Sequence, residues 1–139
     1  MGDSGSLFLG FTLLWFFIYL SQGENAPMSP VAAGWIFGLP LADTISVIVG
    51  RLIRGEHPLA AGRDHIHHVL MRQGLTGRQV LMLLGVYHAM LVSTGVYCNT
   101  HAKSEPFLFW WFVALTIVHF AVMNVVLPRF VLPSEKAAA

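Results

Sequence analysis

Long apolar runs, separated by short polar connections, constrain this chain more than any other feature. Four such segments are readable, at about residues 4–21, 30–50, 79–98 and 107–127. A helix that crosses a bilayer needs roughly 20 apolar residues, with a floor near 17. Composition agrees: of 139 residues, 55% are hydrophobic and 11% charged, and the mean hydropathy is +0.65. Soluble domains carry roughly 25% charged residues. The expectation is one all-α, polytopic membrane domain over 1–139, with about four transmembrane helices and a loop at 51–78. The single cysteine, Cys98, lies in an apolar run and reads as a small hydrophobe. No basic start or small-residue cleavage site suggests a signal peptide.

The first segment has a short strict core, Leu7 to Leu20, so its helix must also use Ser4 to Ser6. Asp3 then sits at the membrane surface beside a helix N-terminus, where backbone N–H groups favour anions. In the second segment Gly34, Gly38 and Pro40 interrupt the apolar run, and Asp43 lies inside it. Pro40 should kink or break the helix, and Asp43 should face protein or a water-filled cavity. Trp110 and Trp111 open the fourth segment as an interfacial belt.

Charge sets orientation. Residues 51–78 hold Arg51, Arg54, Arg63, Arg72 and Arg78, and the tail holds Arg129 and Lys136. The other connections hold Glu24 and Lys103. The positive-inside rule puts the loop at 51–78 and the C-terminus in the cytoplasm. Four spans return the N-terminus, and Asp3, to the same side.

Arg63-Asp64-His65-Ile66-His67-His68 concentrates an arginine and three imidazoles at that boundary. Three readings stand. The histidines bind zinc, though no cysteine is near and on a helix His65 and His68 share a face while His67 points elsewhere. They are a solvated cluster without a role. Or they form a diphosphate site, with Arg63 gripping phosphate oxygens and the imidazoles donating hydrogen bonds or shuttling a proton. The flanking arginines and Asp3 favour the last. Asp3 and Ser4 cap the first helix, or Asp3 holds Mg²⁺, which takes one or two carboxylates plus substrate phosphates. Gly2 to Ser6 also looks like the GDSGG box of chymotrypsin-like proteases, but the last position is serine and a membrane helix follows at once. Asp43 pairs with Arg51 or Arg54 or caps the helix resuming after Pro40, or it lines the site. Eight helical residues, about 12 Å, separate it from Arg51. His88 and His119 read as packed helix-interface residues; His57 and His101 lie in loops without a clear role.

Taken together these motifs resemble a known family. Pro40-Leu41-Ala42-Asp43-Thr44, Arg51, Gly55-Glu56-His57-Pro58 and the histidine motif, in that order, resemble the polyprenyl-phosphate N-acetylhexosamine-1-phosphate transferases. Leu70 to Gln79 resembles the bacterial branch that uses UDP-N-acetylglucosamine, and Gly2-Asp3-Ser4-Gly5-Ser6 matches a further family motif. Gly62 replaces an acid often found before the motif arginine, and His57 a serine.

The resemblance implies a bacterial inner-membrane, multi-pass enzyme. Such an enzyme moves a sugar 1-phosphate from a UDP-N-acetylhexosamine to undecaprenyl phosphate, releases UMP and starts cell-envelope polysaccharide synthesis. It implies Mg²⁺, or Mn²⁺ in its place, with Asp3 as metal carboxylate. Asp3, His65, His67 and His68 would be catalytic. Arg63 and the three histidines, with Asp43 and Arg51, would bind substrate. It also implies that the chain corresponds to the C-terminal four helices of a larger enzyme, lacks an upstream aspartate pair supplied by an N-terminal part, and is inactive alone. Partners would be the nucleotide sugar, the lipid phosphate and membrane lipid, with no nucleic acid. The alternative is a small histidine-rich membrane protein that binds a transition metal through His65, His67 and His68.

Overall fold

The computed structural model describes residues 3–58, 62–101 and 104–127, leaving aside the side chains of Asp3, Ser6 and Leu9. Lys103, Arg129 and Lys136, used above for orientation, lie outside the described residues. All regular structure among the described residues is helical: α1 (Asp3–Ser21), α2 (Pro30–Ile36), α3 (Gly38–Ile53), α4 (Ile66–Arg72), α5 (Gly77–Thr100) and α6 (Glu105–Ala121). A π-helical turn, Val122–Val126, extends α6.

The all-α membrane class is as expected. Among the described residues, α5 and the stretch Glu105–Val126 are long and apolar enough to cross a bilayer. The α2–α3 pair makes a third span if its two halves are counted together, and Gly10–Ser21 of α1 is a shorter apolar stretch. The structure therefore supports two or three spans where about four were expected. α1 exposes Leu7, Phe8, Phe11, Trp15 and Tyr19, as a helix bathed in lipid does.

The second segment is not one kinked helix. α2 and α3 meet at 82°, and the break falls at Phe37, three residues before the proline. Pro40 lacks an N–H, and its ring would collide with the carbonyl four residues earlier, at Ile36. A helix restarting at Gly38 puts Pro40 in its first turn, where neither defect matters. The loop boundaries shift as well. Arg51 belongs to α3, Arg78 belongs to α5, and α4 folds within the interval between them.

Ser29 caps α2 by accepting the Ala32 N–H at 3.1 Å, and its own N–H donates to Asn99 of α5 at 2.9 Å. Ala32, Trp35, Leu91, Cys98 and Leu108 form one buried cluster between α2, α5 and α6. Small residues permit such close approach in membranes. A second cluster, Ile66, Val69, Leu70, Val80 and Met123, seats α4 on α5 and the end of α6. Gly74, with φ +87°, ends the α4 turn in the left-handed region. Thr76 and Gln79 then start α5 with a reciprocal capping box.

Gly95 tests this packing. A Cβ there would stand 2.5 Å from the Trp35 Cβ and 3.1 Å from the Ala32 carbonyl oxygen. Gly95→Ala should cost about 1–3 kcal/mol through overpacking and lower the thermal midpoint of the detergent-solubilised chain. Gly85→Ala meets nothing within 4 Å and should not lower it. Equal midpoints would refute this account of the α2–α5 contact.

Candidate functional site

α3 lines its inner face with Ala42, Asp43, Ser46, Val47, Gly50 and Arg51, all buried. Two of these are ionisable, and each meets the loop that carries the histidines. Asp43 Oδ1 accepts the Ile66 N–H at 2.9 Å, and its Oδ2 lies 2.9 Å from His65 Nδ1. Arg51, only 5% exposed, donates from Nε and Nη2 to Asp64 Oδ2 at 2.9 and 2.7 Å. Its Nη1 donates to the Pro58 carbonyl at 3.2 Å. Asp43 thus pairs with His65, not with Arg51 or Arg54, and it holds the start of α4 as well as neighbouring the candidate site. Arg51, expected to bind substrate, directs these donors at Asp64 and Pro58.

Gly62 explains part of this loop. A Cβ at that position would collide with Arg51 Nη2 and stand 2.9 Å from Asp64 Oδ2. The glycine that departs from the family pattern therefore lies against the Arg51–Asp64 pair.

The three imidazoles are not arranged as a helix predicts. His65 is the N-cap of α4, with extended backbone at φ −65° and ψ 148°, so helical spacing does not govern it. Its ring lies near parallel to His67, with centroids 6.1 Å apart, and His67 and His68 are 4.1 Å apart. All three therefore form one row. His67 and Arg63 are exposed. Arg72 Nη2 donates to the Arg63 carbonyl at 3.2 Å, which folds the loop back on α4. Partial burial, and then the neighbouring His67, Arg63, His65 and Arg72, hold the His68 imidazole below its ordinary range. Arg54, by contrast, is bound to Glu56 at 2.9 and 3.0 Å. That hydrogen bond keeps the Glu56 carboxyl below its usual range and the Arg54 guanidinium above its own.

Beside the row runs a groove of about 470 Å³, walled by Leu39, Pro40, His67, Met71, Leu84 and His88 among others. It is almost wholly apolar, and His67 brings a polar ring to it.

His119 is a residue whose role sequence reasoning missed. It is 4% exposed, and its Nε2 lies 3.8 Å from Asp43 Oδ1. Only its position in the fourth apolar segment hinted at anything beyond helix packing. Asp3 begins α1, and its side chain lies outside the described residues.

Among the described residues no three His, Cys, Asp or Glu side chains converge as metal ligands. This disfavours a transition-metal site built on His65, His67 and His68. A Mg²⁺ site needs one or two carboxylates, yet Asp43 is committed to His65 and Ile66, and Asp64 to Arg51. The described residues alone do not make that site.

Comparison with known proteins bears out the resemblance. The chain is 37% identical over 130 residues to the undecaprenyl-phosphate alpha-N-acetylglucosaminyl 1-phosphate transferase of Escherichia coli (strain K12), over 93% of this chain and 34% of that protein. The protein of the same name in Pasteurella multocida (strain Pm70) is 37% identical over 119 residues, 86% of this chain and 33% of its own length. That of Yersinia pestis is 43% identical over 96 residues, 69% of this chain and 26% of its own. The chain thus spans about a third of the length of the curated relatives it matches, in keeping with the expected C-terminal portion. No family model matches the chain, and no solved structure matches it.

Removing Asp64 tests the loop. The Asp64 side chain is 36% exposed, so Asp64→Ala should cost about 1–3 kcal/mol, less than a fully buried pair. The expected result is a lower thermal midpoint and faster hydrogen exchange over residues 62–66, with Asp64→Asn milder because its amide oxygen still accepts. An unchanged midpoint and exchange in Asp64→Ala would show that the pair does not hold the loop.

Proposed function

We propose that this chain, as a relative of undecaprenyl-phosphate N-acetylglucosaminyl 1-phosphate transferases, supplies the phosphate-binding face of such an enzyme. The reaction is transfer of N-acetylglucosamine 1-phosphate from UDP-N-acetylglucosamine to undecaprenyl phosphate, with release of UMP, at the start of cell-envelope polysaccharide synthesis. One observation carries the reading. Arg63, Arg72 and the row His65, His67, His68 gather at one surface, while Arg51 and Arg54 are already paired with acids. The cations left toward solvent thus include those of the histidine motif and α4, with Arg78 at the start of α5. A diphosphate presents oxygens that guanidinium forks and imidazole N–H groups bind well.

The acceptor needs a polar head beside an apolar track. The groove that borders His67 offers that combination, and we assign the undecaprenyl chain to it. Mg²⁺, or Mn²⁺, belongs to the proposal with Asp3 as a ligand. The metal would balance charge that builds on phosphate oxygens. The aspartate pair of the family would come from a further part of the enzyme. We place the chain in the bacterial plasma membrane, with both ends and the loop at 51–78 cytoplasmic and α1 counted as a fourth span, on the strength of the arginine distribution.

Binding should precede turnover. The full chain in lipid nanodiscs should bind UDP-N-acetylglucosamine, and Arg63→Ala should weaken binding about tenfold, the loss of one charge-assisted contact. The nucleotide sugar should also raise the His68 pKa toward or above its ordinary range, because an adjacent anion favours the charged imidazole. Proton NMR titration with and without ligand reads that shift. No binding and no shift at millimolar ligand would overturn the assignment of this face.

Catalysis should need more than this chain. With UDP-N-acetylglucosamine, undecaprenyl phosphate and Mg²⁺, the chain alone should release no UMP. Measured UMP release would refute the need for an additional aspartate pair.

A further inference from the structure

His119 is a buried titratable group that the proposed function leaves unused. It lies in α6, with Nε2 3.8 Å from Asp43 Oδ1 and without a hydrogen-bond partner among the described residues. Its ring stacks on Tyr87 of α5, with centroids 6.0 Å apart and 16° between planes. A buried nitrogen without a partner costs about 1–3 kcal/mol. Asp43 Oδ1 is the acceptor it faces, and a shift of about 0.9 Å would bring 3.8 Å down to the 2.9 Å of the His65 contact. Two histidines from different elements thus face one carboxylate: His119 from within α6, and His65 from the loop, its side chain 42% exposed.

We propose that Asp43 and His119 form a buried positioning pair that holds His65 in its Nδ1–H tautomer and turns its Nε2 to the phosphate-binding face. An ionised carboxylate only accepts, so its contact with His65 requires a hydrogen on Nδ1. A solvent-exposed histidine side chain favours hydrogen on Nε2, so the contact reverses the ordinary preference. His119, docked on Tyr87, approaches the same Asp43 Oδ1 that accepts the Ile66 N–H, so the two steady the oxygen that His65 does not use. With Nδ1 committed, Nε2 is the atom left to meet a phosphate oxygen. Neutral, Nε2 carries only a lone pair; beside an ionised phosphate it takes a proton from water, whose hydroxide passes to bulk buffer, and donates that hydrogen to the phosphate oxygen. No proton passes to Asp43. The arrangement is that of a carboxylate orienting a histidine that does the chemistry. The substrate half of this inference rests on the proposed function, and the tautomer half does not.

The test uses the full chain in lipid nanodiscs with isotope-labelled histidine nitrogens, His65 being assigned by its loss in His65→Gln. The expected spectrum shows His65 with hydrogen on Nδ1. Asp43→Ala should lose that signal in favour of Nε2–H. Asp43→Asn, whose amide oxygen still accepts, should keep it. His119→Phe keeps an aromatic ring on Tyr87 without the ring nitrogens, and it should lower the Nδ1–H share. The dissociation constant for UDP-N-acetylglucosamine should follow the same order, weakest in Asp43→Ala and near the parent value in Asp43→Asn. His65 as Nε2–H in the parent chain overturns the proposal. So does a tautomer unchanged by both Asp43→Ala and His119→Phe. Tautomers that follow the expected order without any binding of UDP-N-acetylglucosamine uphold the positioning pair and reject the phosphate-binding assignment.

Discussion

A carboxylate within a membrane helix needs partners, and the Asp43 partners organise the histidine loop. An aspartate at the centre of a spanning helix costs roughly 2.5–3.5 kcal/mol on insertion scales. Here the loop folds back to offset that cost, with the Ile66 N–H on one oxygen and the His65 imidazole on the other. The first contact fixes where α4 begins. The apolar side of α4, Ile66, Val69 and Leu70, then closes on Val80 and Met123. A polar contact sets the register and an apolar cluster makes it stable.

Arg51 adds direction. It sits two turns beyond Asp43 on the same face of α3 and meets Asp64, the neighbour in sequence of His65. α3 thus presents an acid and then a base, and the loop presents an imidazole and an acid to match. The long side chain of Arg51 spans the separation along the helix, so both contacts form from adjacent loop residues. Running the loop the other way would set Asp64 against Asp43 and leave Arg51 facing a histidine. Charge order, more than shape, selects this path. It also leaves Arg63 facing outward, because the acid beside it is already used.

Much of this was legible in the sequence, and the residues that were not share a cause. The apolar segments announced helices because their length and composition leave few alternatives in lipid. Asp43 stood out as an ionisable group in an apolar run, and the histidine motif stood out by density. Pro40 signalled a break, but its position followed from the carbonyl four residues upstream, which a kink drawn at the proline ignores. The row of imidazoles was not legible, because His65 is an N-cap and helical spacing does not apply to it. The Arg51–Asp64 pair and the approach of His119 to Asp43 join residues 13 and 76 apart in sequence (64 less 51, and 119 less 43). No local period encodes such contacts. The side chain of Asp3, the residue that most invited a metal, lies outside the described residues.

The position of His119 depends in turn on how closely α6 approaches α3. The two run in the same direction here, since Asp43 faces His119 and, further along both, Gly50 faces Asn124. At Gly50 a Cβ would stand 2.5 Å from Asn124 Oδ1, so a larger residue would have to displace the Asn124 side chain. Asn124 lies in the π-helical turn and donates to the Phe120 carbonyl at 3.2 Å. A π-helical turn widens the helix and alters which side chains face a neighbour. In this chain it keeps Met123 buried in the α4 cluster and brings Asn124 against Gly50, while His119, just before it, faces Asp43. The loop, the carboxylate and the buried histidine are therefore linked through one glycine and one irregular turn. A small change in the α3–α6 distance would alter the Asp43–His119 gap before it disturbed the histidine row itself.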